Sequence, residues 1–223
     1  MKDNFIEISD NALSDDNCQS LSDEFDYQHS IGNTYQSNAL INGKEEKSLL
    51  DCIDLSLSVI NDKNELLNEQ IFYHIDDSML YFLKSYQDRY HVNPYFLNID
   101  AFDPANLKTK KITDFPLEGM PRIFDRSQVI IRKFESDKNH AQHAWSTDWK
   151  NTSDAELFRT LSIIFFLNDV KEGGEVEFYH QNMKIKPKKG RIIIFPSVFT
   201  HLYKINKPVD DNMYMVKTWI KIN

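Results

Sequence analysis

The chain has 223 residues, of which 41% are hydrophobic and 13% aromatic, and its formal net charge is −8 at pH 7. This composition is typical of a folded globular protein, and the acidic balance argues against a nucleic acid partner, because a phosphate backbone attracts a surplus of basic residues. No apolar stretch is long enough to cross a bilayer, and charged residues interrupt the first ten positions. We therefore predict a cytoplasmic protein without a membrane partner; the oligomeric state is left open.

No Gly/Ser-rich or Pro-rich linker divides the chain, and we predict one domain over residues 1–223. Helical patterns dominate about residues 1–95, and short strand patterns dominate about residues 96–223. Helices followed by antiparallel strands are typical of an α+β domain. We predict a double-stranded β-helix, or jelly roll, with N-terminal supporting helices.

The predicted N-terminal elements are a short strand, a helix, an exposed polar loop and a long amphipathic helix. Ser14 is a typical N-cap for the first helix, and apolar residues spaced by three and four define the second. These four elements are predicted over residues 4–9, 14–25, 28–48 and 66–90.

The strand patterns beyond residue 95 are rich in β-branched and aromatic residues, and turn-forming residues separate them. They are predicted over residues 96–99, 129–134, 144–148, 161–167, 175–179, 183–185, 191–195, 201–205 and 213–222. A basic cluster in this region is expected to be solvated hairpin charge, with contact to an anionic substrate as the alternative. The cluster consists of Lys184, Lys186, Lys188, Lys189 and Arg191.

Asp148 and His201 are candidate metal ligands. Side chains two residues apart on a strand share a face, so positions 146 and 148 would both point into the mouth of the barrel. A carboxylate and an imidazole delivered by separate strands are two of the three protein ligands of a facial iron(II) site. The spacing of Asp148 and His201 by itself is a weak signal, and the surrounding sequence strengthens it.

Four segments in a fixed order resemble the prolyl 4-hydroxylase-like branch of the iron(II)/2-oxoglutarate dioxygenases, and the resemblance covers about residues 127–221. They are residues 161–168 (LSIIFFLN), 172–178 (EGGEVEF), 185–191 (IKPKKGR) and 194–197 (IFPS), followed by His201. The resemblance implies an oxygenase that uses Fe(II) and 2-oxoglutarate. It also implies hydroxylation of a peptidyl proline or of a C–H bond in a small molecule, so the expected partner is a peptide or small-molecule substrate.

The chain departs from the family pattern at two functional positions. Ser146 stands where the resemblance places the first metal histidine, and His143 is the candidate replacement, although a bulge would be needed for it to reach the ion. Met213 stands six residues before Trp219, where the family has a basic residue for the far carboxylate of 2-oxoglutarate. Lys217 lies on the same face of that strand and is the candidate co-substrate ligand, with a solvent-facing charge as the alternative.

These two departures support a second hypothesis, a catalytically inactive barrel that persists as a binding module. A third, a lectin-like or cupin-like sandwich, accounts for the strands but not for the histidine after the Phe-Pro-Ser turn. Trp145, Trp149 and Tyr203 are candidates to line the entrance, with ordinary packing as the alternative. Residues 28–48 and 102–126 are candidates for a segment that covers the site.

Overall fold

The computed structural model describes residues 4–41, 44–57, 65–90, 124–126, 129–136, 144–149 and 158–222. Within these ranges the chain forms two α-helices and eleven strands. The helices are α1 (Asp15–Ser30) and α2 (Glu65–Tyr90). The strands are β1 (Glu7–Ser9), β2 (Tyr35–Ile41), β3 (Lys44–Ser56), β4 (Phe124–Arg126), β5 (Ile130–Phe134), β6 (Phe158–Phe166), β7 (Val176–Phe178), β8 (Met183–Ile185), β9 (Ile192–Pro196), β10 (Tyr203–Ile205) and β11 (Met213–Ile222).

The strands form two antiparallel sheets. The larger has the strand order β1-β9-β6-β11-β5-β3-β2, and β4 pairs with the C-terminal end of β11. The smaller has the order β10-β7-β8. Aromatic rings join the two sheets, since the Phe195 ring on β9 lies 4.9 Å from that of Phe178 on β7 and 5.1 Å from that of Tyr203 on β10. The predicted α+β fold with a jelly-roll core and N-terminal supporting helices is confirmed.

The larger sheet has an apolar core on each of its faces. One core packs against the helices and includes Phe25 of α1, Ile75 of α2 and Phe165 of β6. The other lies between the two sheets, and we call this interior the lumen. Its apolar lining is Ile6, Cys52, Phe134, Ile164, Phe166, Val170, Val176, Phe178, Ile185, Ile193, Phe195, Tyr203, Ile205, Met213 and Met215.

Local sequence explains where α1 begins. The Ser14 side chain accepts a hydrogen bond from the Asn17 backbone N–H at 3.1 Å, and Asp15 and Asp16 carry negative charge in the first turn, where the helix dipole favours it. The helix continues five residues beyond its predicted end at residue 25, because Gln28 is buried and donates to Glu24 at 2.8 Å.

The Gly173-Gly174 turn requires glycine. Both residues have positive φ angles, 79° and 74°. A Cβ atom on Gly173 would lie 2.0 Å from the backbone oxygen of Lys207, closer than any side chain can approach. The turn therefore holds the start of β7 against the segment that follows β10, which closes one end of the lumen.

Three sequence predictions differ from the structure. The exposed loop predicted over residues 28–48 is wrong from residue 35 onward in the described part of the chain, because β2 and the first part of β3 occupy it. β2 is the edge strand of the larger sheet, and its sequence carries no regular apolar alternation. Residues 144–148 form no strand and contribute only an isolated bridge between Ser146 and Tyr203. His201 ends a 3₁₀ turn, Phe199–His201, instead of beginning β10.

The predicted strand 96–99 and most of the segment 102–126 lie outside the described residues. In the part of the chain that is described, no helix combines the length and the apolar character that crossing a membrane requires. Cys18 and Cys52 are both free and buried.

Asp10 neutralises part of the basic cluster. Its carboxylate accepts hydrogen bonds from Lys188 at 2.6 Å and from Arg191 at 2.7 Å. The hydrogen bonds from Arg191 and Lys188 lower the pKa of Asp10 to about 2. These two members of the cluster therefore hold the end of β1 against β9.

We expect this contact to make the free energy of unfolding depend on pH in the acid range. Because the pKa of Asp10 is lower in the folded state than its ordinary 3.8, the stabilisation is complete above about pH 4 and is lost as the pH falls toward 2. Asp10→Asn should remove that loss and should cost less than about 1 kcal/mol at pH 7, since the pair is partly exposed. Urea unfolding at pH 7 and pH 3 measures both effects, and an unchanged acid dependence in the variant would contradict the assignment.

Candidate active site in the lumen

Asp148 lies in a buried polar cluster inside the lumen. It is 8% exposed, and both of its carboxylate oxygens accept hydrogen bonds. Ser162 on β6 donates to Oδ2 at 2.7 Å, and the Tyr203 hydroxyl on β10 lies 3.1 Å from both oxygens. One donor comes from each sheet, so the barrel itself holds this carboxylate in place.

Side-chain hydrogen bonds position Asp148 although it belongs to no strand. Thr147 donates its hydroxyl to the Ser197 carbonyl at 2.9 Å and accepts the backbone N–H of Trp149 at 3.0 Å. The Ser197 hydroxyl lies 2.8 Å from that of Ser162. Residues 147–149 are thereby tied to the end of β9, which presents the carboxylate to the lumen.

Lys217 on β11 is the counter-ion of Asp148. Its Nζ lies 2.8 Å from Asp148 Oδ1 and also contacts the Tyr203 hydroxyl. The two charged side chains are only 4% and 9% exposed. The ammonium lies 5.0 Å from the ring centroid of Tyr203 and 5.1 Å from that of Trp219, within the range of cation–π attraction. The alternative of a solvent-facing Lys217 is therefore wrong.

The electrostatics of this cluster favour an ionised pair. Burial alone would raise the pKa of Asp148, but the charge of Lys217 and the hydrogen bonds to the carboxylate outweigh it and hold the pKa below its ordinary value. Burial lowers the pKa of Lys217, and the charge of Asp148 opposes that effect. Burial and the charge of Asp148 raise the pKa of Tyr203 well above its usual range, so the phenol remains a neutral donor.

A second buried ion pair lies beside the first. Arg132 on β5 faces Met215 on β11 and Asp54 on β3 across the sheet. Its Nε and Nη2 atoms donate to the two oxygens of Asp54, each at 2.7 Å, and the side chains are 7% and 2% exposed. Burial would lower the pKa of Arg132, but the charge of Asp54 outweighs it and raises the pKa well above the ordinary value. This bidentate geometry is the strongest form of arginine–carboxylate pairing.

Arg159 on β6 is a third basic residue near Asp148. Its guanidinium carbon lies 3.6 Å from the ring centroid of Trp219, and the side chain is half-buried. Burial lowers the pKa of Arg159, and the negative charge of Asp148 opposes this. The Trp219 indole also lowers the pKa of Asp148. Its buried Nε1 atom nevertheless makes no hydrogen bond with good geometry to any described residue.

His201 is buried, and both of its ring nitrogens have protein partners. Nε2 lies 2.9 Å from the backbone oxygen of Asn4, and Nδ1 lies 2.9 Å from the Thr200 hydroxyl. Because a carbonyl oxygen can only accept, Nε2 must carry the proton, and Nδ1 of the neutral ring accepts from Thr200. Burial lowers the pKa of His201, which favours that neutral ring.

Ser146 faces Tyr203 across the isolated bridge, with backbone hydrogen bonds of 3.0 Å in each direction. Residues opposite each other in an antiparallel pair share a face, and the Tyr203 side chain points into the lumen, so position 146 also faces the lumen. His143 lies outside the described residues. Because residues 144–149 do not form a regular strand, the odd spacing of 143 and 148 no longer argues against His143.

As arranged here, the described residues do not fit an iron ion. Such a site needs three protein donors with free lone pairs, and no group of three His, Cys, Asp or Glu side chains occurs among the residues that the structure describes. Lys217, Ser162 and Tyr203 already occupy the oxygens of Asp148, and the proton on Nε2 of His201 is directed at Asn4. That Asp148 and His201 converge on one ion stays a prediction.

The structure changes the relation between the predicted site residues. It brings Asp148 and Lys217 into direct contact, whereas the sequence assigned them to different ligands. Tyr203, a candidate for the entrance, is fully buried and donates to Asp148, while Trp145 and Trp149 are partly exposed. Ser162, Arg132 and Asp54 were not among the predicted site residues, and the available signal was a polar or charged residue inside an apolar strand.

Comparison with known proteins finds a family that the C-terminal part of the chain resembles. A sequence model of the 2OG-Fe(II) oxygenase superfamily matches residues 133–221, a range that contains Asp148, His201 and Lys217. No curated protein matches the chain.

Solved structures share the fold at low sequence identity. A viral collagen prolyl hydroxylase from Paramecium Bursaria Chlorella virus-1, in a 2OG complex, is 16% identical with a TM-score of 0.58, covering 98% of this chain and 96% of its own. A Pseudomonas putida prolyl-4-hydroxylase is 12% identical with a TM-score of 0.59, covering 97% and 92%. A Trichoplax adhaerens prolyl hydroxylase, in complex with a hypoxia inducible factor peptide fragment, is 13% identical with a TM-score of 0.62, covering 97% and 83%. Residues 133–221 of this chain are therefore similar in sequence to the 2OG-Fe(II) oxygenase superfamily, and the chain shares the fold of the prolyl hydroxylases named above.

Proposed function

We propose that the protein is an iron(II)- and 2-oxoglutarate-dependent dioxygenase that hydroxylates a peptidyl proline or a C–H bond of a small molecule. The observation that carries this proposal is the superfamily match over residues 133–221. A peptide substrate is supported by the Trichoplax adhaerens neighbour, which was solved with a peptide fragment. Fold alone does not define a substrate, so the substrate class rests on this likeness.

The proposed metal positions are Asp148 and His201, with Ser146 or His143 as the third. The chain's own contribution is a carboxylate whose orientation is set in advance by Ser162 and Tyr203. The surrounding lumen is lined by apolar side chains, which exclude water and strengthen the interactions of any charge inside it.

Lys217 and Arg132 supply positive charge on the face of the sheet that lines the lumen. Both are paired with carboxylates of the chain in the described arrangement. An external carboxylate such as that of 2-oxoglutarate would therefore have to replace a carboxylate of the chain as the partner of one of these cations. Lys217 is the proposed ligand.

A barrel that binds a ligand without catalysis is the second candidate function. Two observations favour it: the buried carboxylates of Asp54 and Asp148 already have a cationic partner, and the vacated histidine position is a serine. The family match favours the oxygenase.

Turnover measurements distinguish the two candidates. The oxygenase should consume oxygen and 2-oxoglutarate when supplied with Fe(II), and a proline-containing peptide should stimulate the reaction if peptidyl proline is the substrate. A binding module should consume neither at any metal concentration, and that result would overturn the proposed function.

Restoring an imidazole at position 146 is expected to strengthen metal binding. Position 146 faces the lumen, and an imidazole is a far better ligand than a hydroxyl, so Ser146→His should lower the Mn(II) dissociation constant by roughly 10- to 100-fold. Isothermal titration with Mn(II) measures this change. Ser146→Ala is the matched control, since it removes the hydroxyl without adding a ligand, and equal Mn(II) affinities for the two variants would contradict the assignment of this position.

A further inference from the structure

The ammonium of Lys217 occupies the coordination space of the proposed metal ligand. It approaches Asp148 Oδ1 at 2.8 Å, while Tyr203 and Ser162 donate further hydrogen bonds to the carboxylate. A divalent cation at Asp148 would need at least one of these oxygens and would be repelled by the ammonium already in contact with the carboxylate. The contact therefore competes directly with metal binding.

The surroundings of Lys217 show that the contact is not an incidental surface pair. The side chain is 4% exposed, and its ammonium lies between the rings of Tyr203 and Trp219. A buried ionised carboxylate without a counter-ion is costly, so Asp148 stays ionised in the folded barrel only if a cation accompanies it. Lys217 provides that cation from within the chain.

We infer that Lys217 is a built-in counter-ion that stands in for the metal at Asp148, so that the barrel folds without metal and a divalent cation binds there only by displacing Lys217. The inference rests on the proposed function for the identity of Asp148 as a metal ligand. It explains why the described arrangement does not fit an iron ion although residues 133–221 match an iron-dependent superfamily. It also adds a property that the family match does not imply, because a metal must first break an internal ion pair.

The test is a comparison of Mn(II) binding by isothermal titration at neutral pH among five proteins. Wild type is compared with Lys217→Met, which removes the ammonium, and with Lys217→Gln, which keeps a neutral donor for Asp148 and protects against failure to fold. Asp148→Asn/Lys217→Met removes the metal ligand as well. Lys204→Met is the matched control, since Lys204 pairs with Glu177 at 3.4 Å outside the lumen.

We expect wild type and Lys204→Met to bind Mn(II) weakly and equally, and the two Lys217 single variants to bind it at least about tenfold more tightly, which corresponds to about 1.4 kcal/mol. The double variant should lose the gain. The thermal midpoint of wild type should not respond to EDTA, whereas Mn(II) should raise the midpoint of Lys217→Met or restore its folding.

Three results would overturn the inference. If the Lys217 variants bind Mn(II) no more tightly than wild type, Lys217 does not compete, and the oxygenase proposal stands without it. If the double variant keeps the gain, the metal is not at Asp148. If no protein in the series binds Mn(II), both the inference and the proposed function fail.

Discussion

Replacing Lys217 with methionine is expected to lower the free energy of unfolding by roughly 3–5 kcal/mol, because the substitution leaves the Asp148 carboxylate buried without a counter-charge. Methionine has a similar length and can fill the space beside the Tyr203 and Trp219 rings. The lost free energy of unfolding therefore comes from the removed charge rather than from a cavity. Urea denaturation of the metal-free protein measures the change, with EDTA present to prevent compensation by a divalent cation.

The double variant Asp148→Asn/Lys217→Met isolates the contribution of the unpaired charge. Asparagine is nearly isosteric with aspartate and keeps an acceptor for Ser162 and Tyr203, so this variant should recover most of the stability that the single substitution loses. Lys204→Met, which breaks the partly exposed pair with Glu177, should cost at most about 1 kcal/mol. If the single and double variants were equally unstable, lost packing rather than uncompensated charge would be responsible.

Asp54→Asn is expected to cost a similar amount, roughly 3–5 kcal/mol, because it leaves the Arg132 guanidinium buried without its carboxylate. Arginine stays protonated even when it is buried, so the protein cannot relieve the cost by neutralising the side chain. The substitution also removes one of two parallel hydrogen bonds of 2.7 Å. The unfolding midpoint in urea, analysed with an unchanged slope, measures the loss.

A matched control for this prediction is Asp26→Asn. Asp26 also accepts a hydrogen bond from a basic residue, Lys133 at 3.1 Å, but its side chain is 53% exposed. Its loss should therefore cost between about 0 and 1 kcal/mol. If Asp54→Asn proved as mild as Asp26→Asn, the Arg132 guanidinium would have to find water or another acceptor in the lumen, and the view of that interior as dry would be wrong.

The two buried pairs bear on the similarity of residues 133–221 to the 2OG-Fe(II) oxygenase superfamily. An enzyme of this superfamily combines a metal with 2-oxoglutarate, a cation and an anion held in one interior. In this chain Lys217 provides a cation and Asp54 an anion from within the lumen itself. Buried ion pairs contribute little net stability compared with apolar packing, so their presence here is not explained by stability alone. The proposed binding of charged ligands in exchange for these internal partners would give the pairs a function.

The periodic elements were predictable because their signals are local. The apolar spacing over residues 66–90 predicted α2 within one residue, and the alternation over residues 213–222 predicted β11 with the bounds that the structure shows. The β2-β3 hairpin was not predicted, because a polar edge strand lacks the alternation that distinguishes a half-buried strand from a loop. The turn that contains His201 was also missed, because the Phe-Pro-Ser segment marks a strand end without specifying the conformation of the next residues.

The sequence proposed some residues of the candidate site but none of the contacts between them. Asp148, His201 and Lys217 were identified from the order of motifs around them. That Lys217 pairs with Asp148, 69 residues away, could not be read from spacing, because the residues lie on different segments that meet only across the lumen. The same holds for Arg132 and Asp54, which are 78 residues apart and become neighbours through the pairing of β3 with β5.

The sequence alone predicted the α+β jelly-roll class, the positions of most of the described strands and a resemblance to one oxygenase superfamily, since these depend on local periodicity, turn residues and a series of motifs. Only the tertiary structure decided which charges neutralise each other inside the barrel. The energy of a buried charge depends on the groups within a few ångströms of it, and those distances exist only after the two sheets have closed around the lumen.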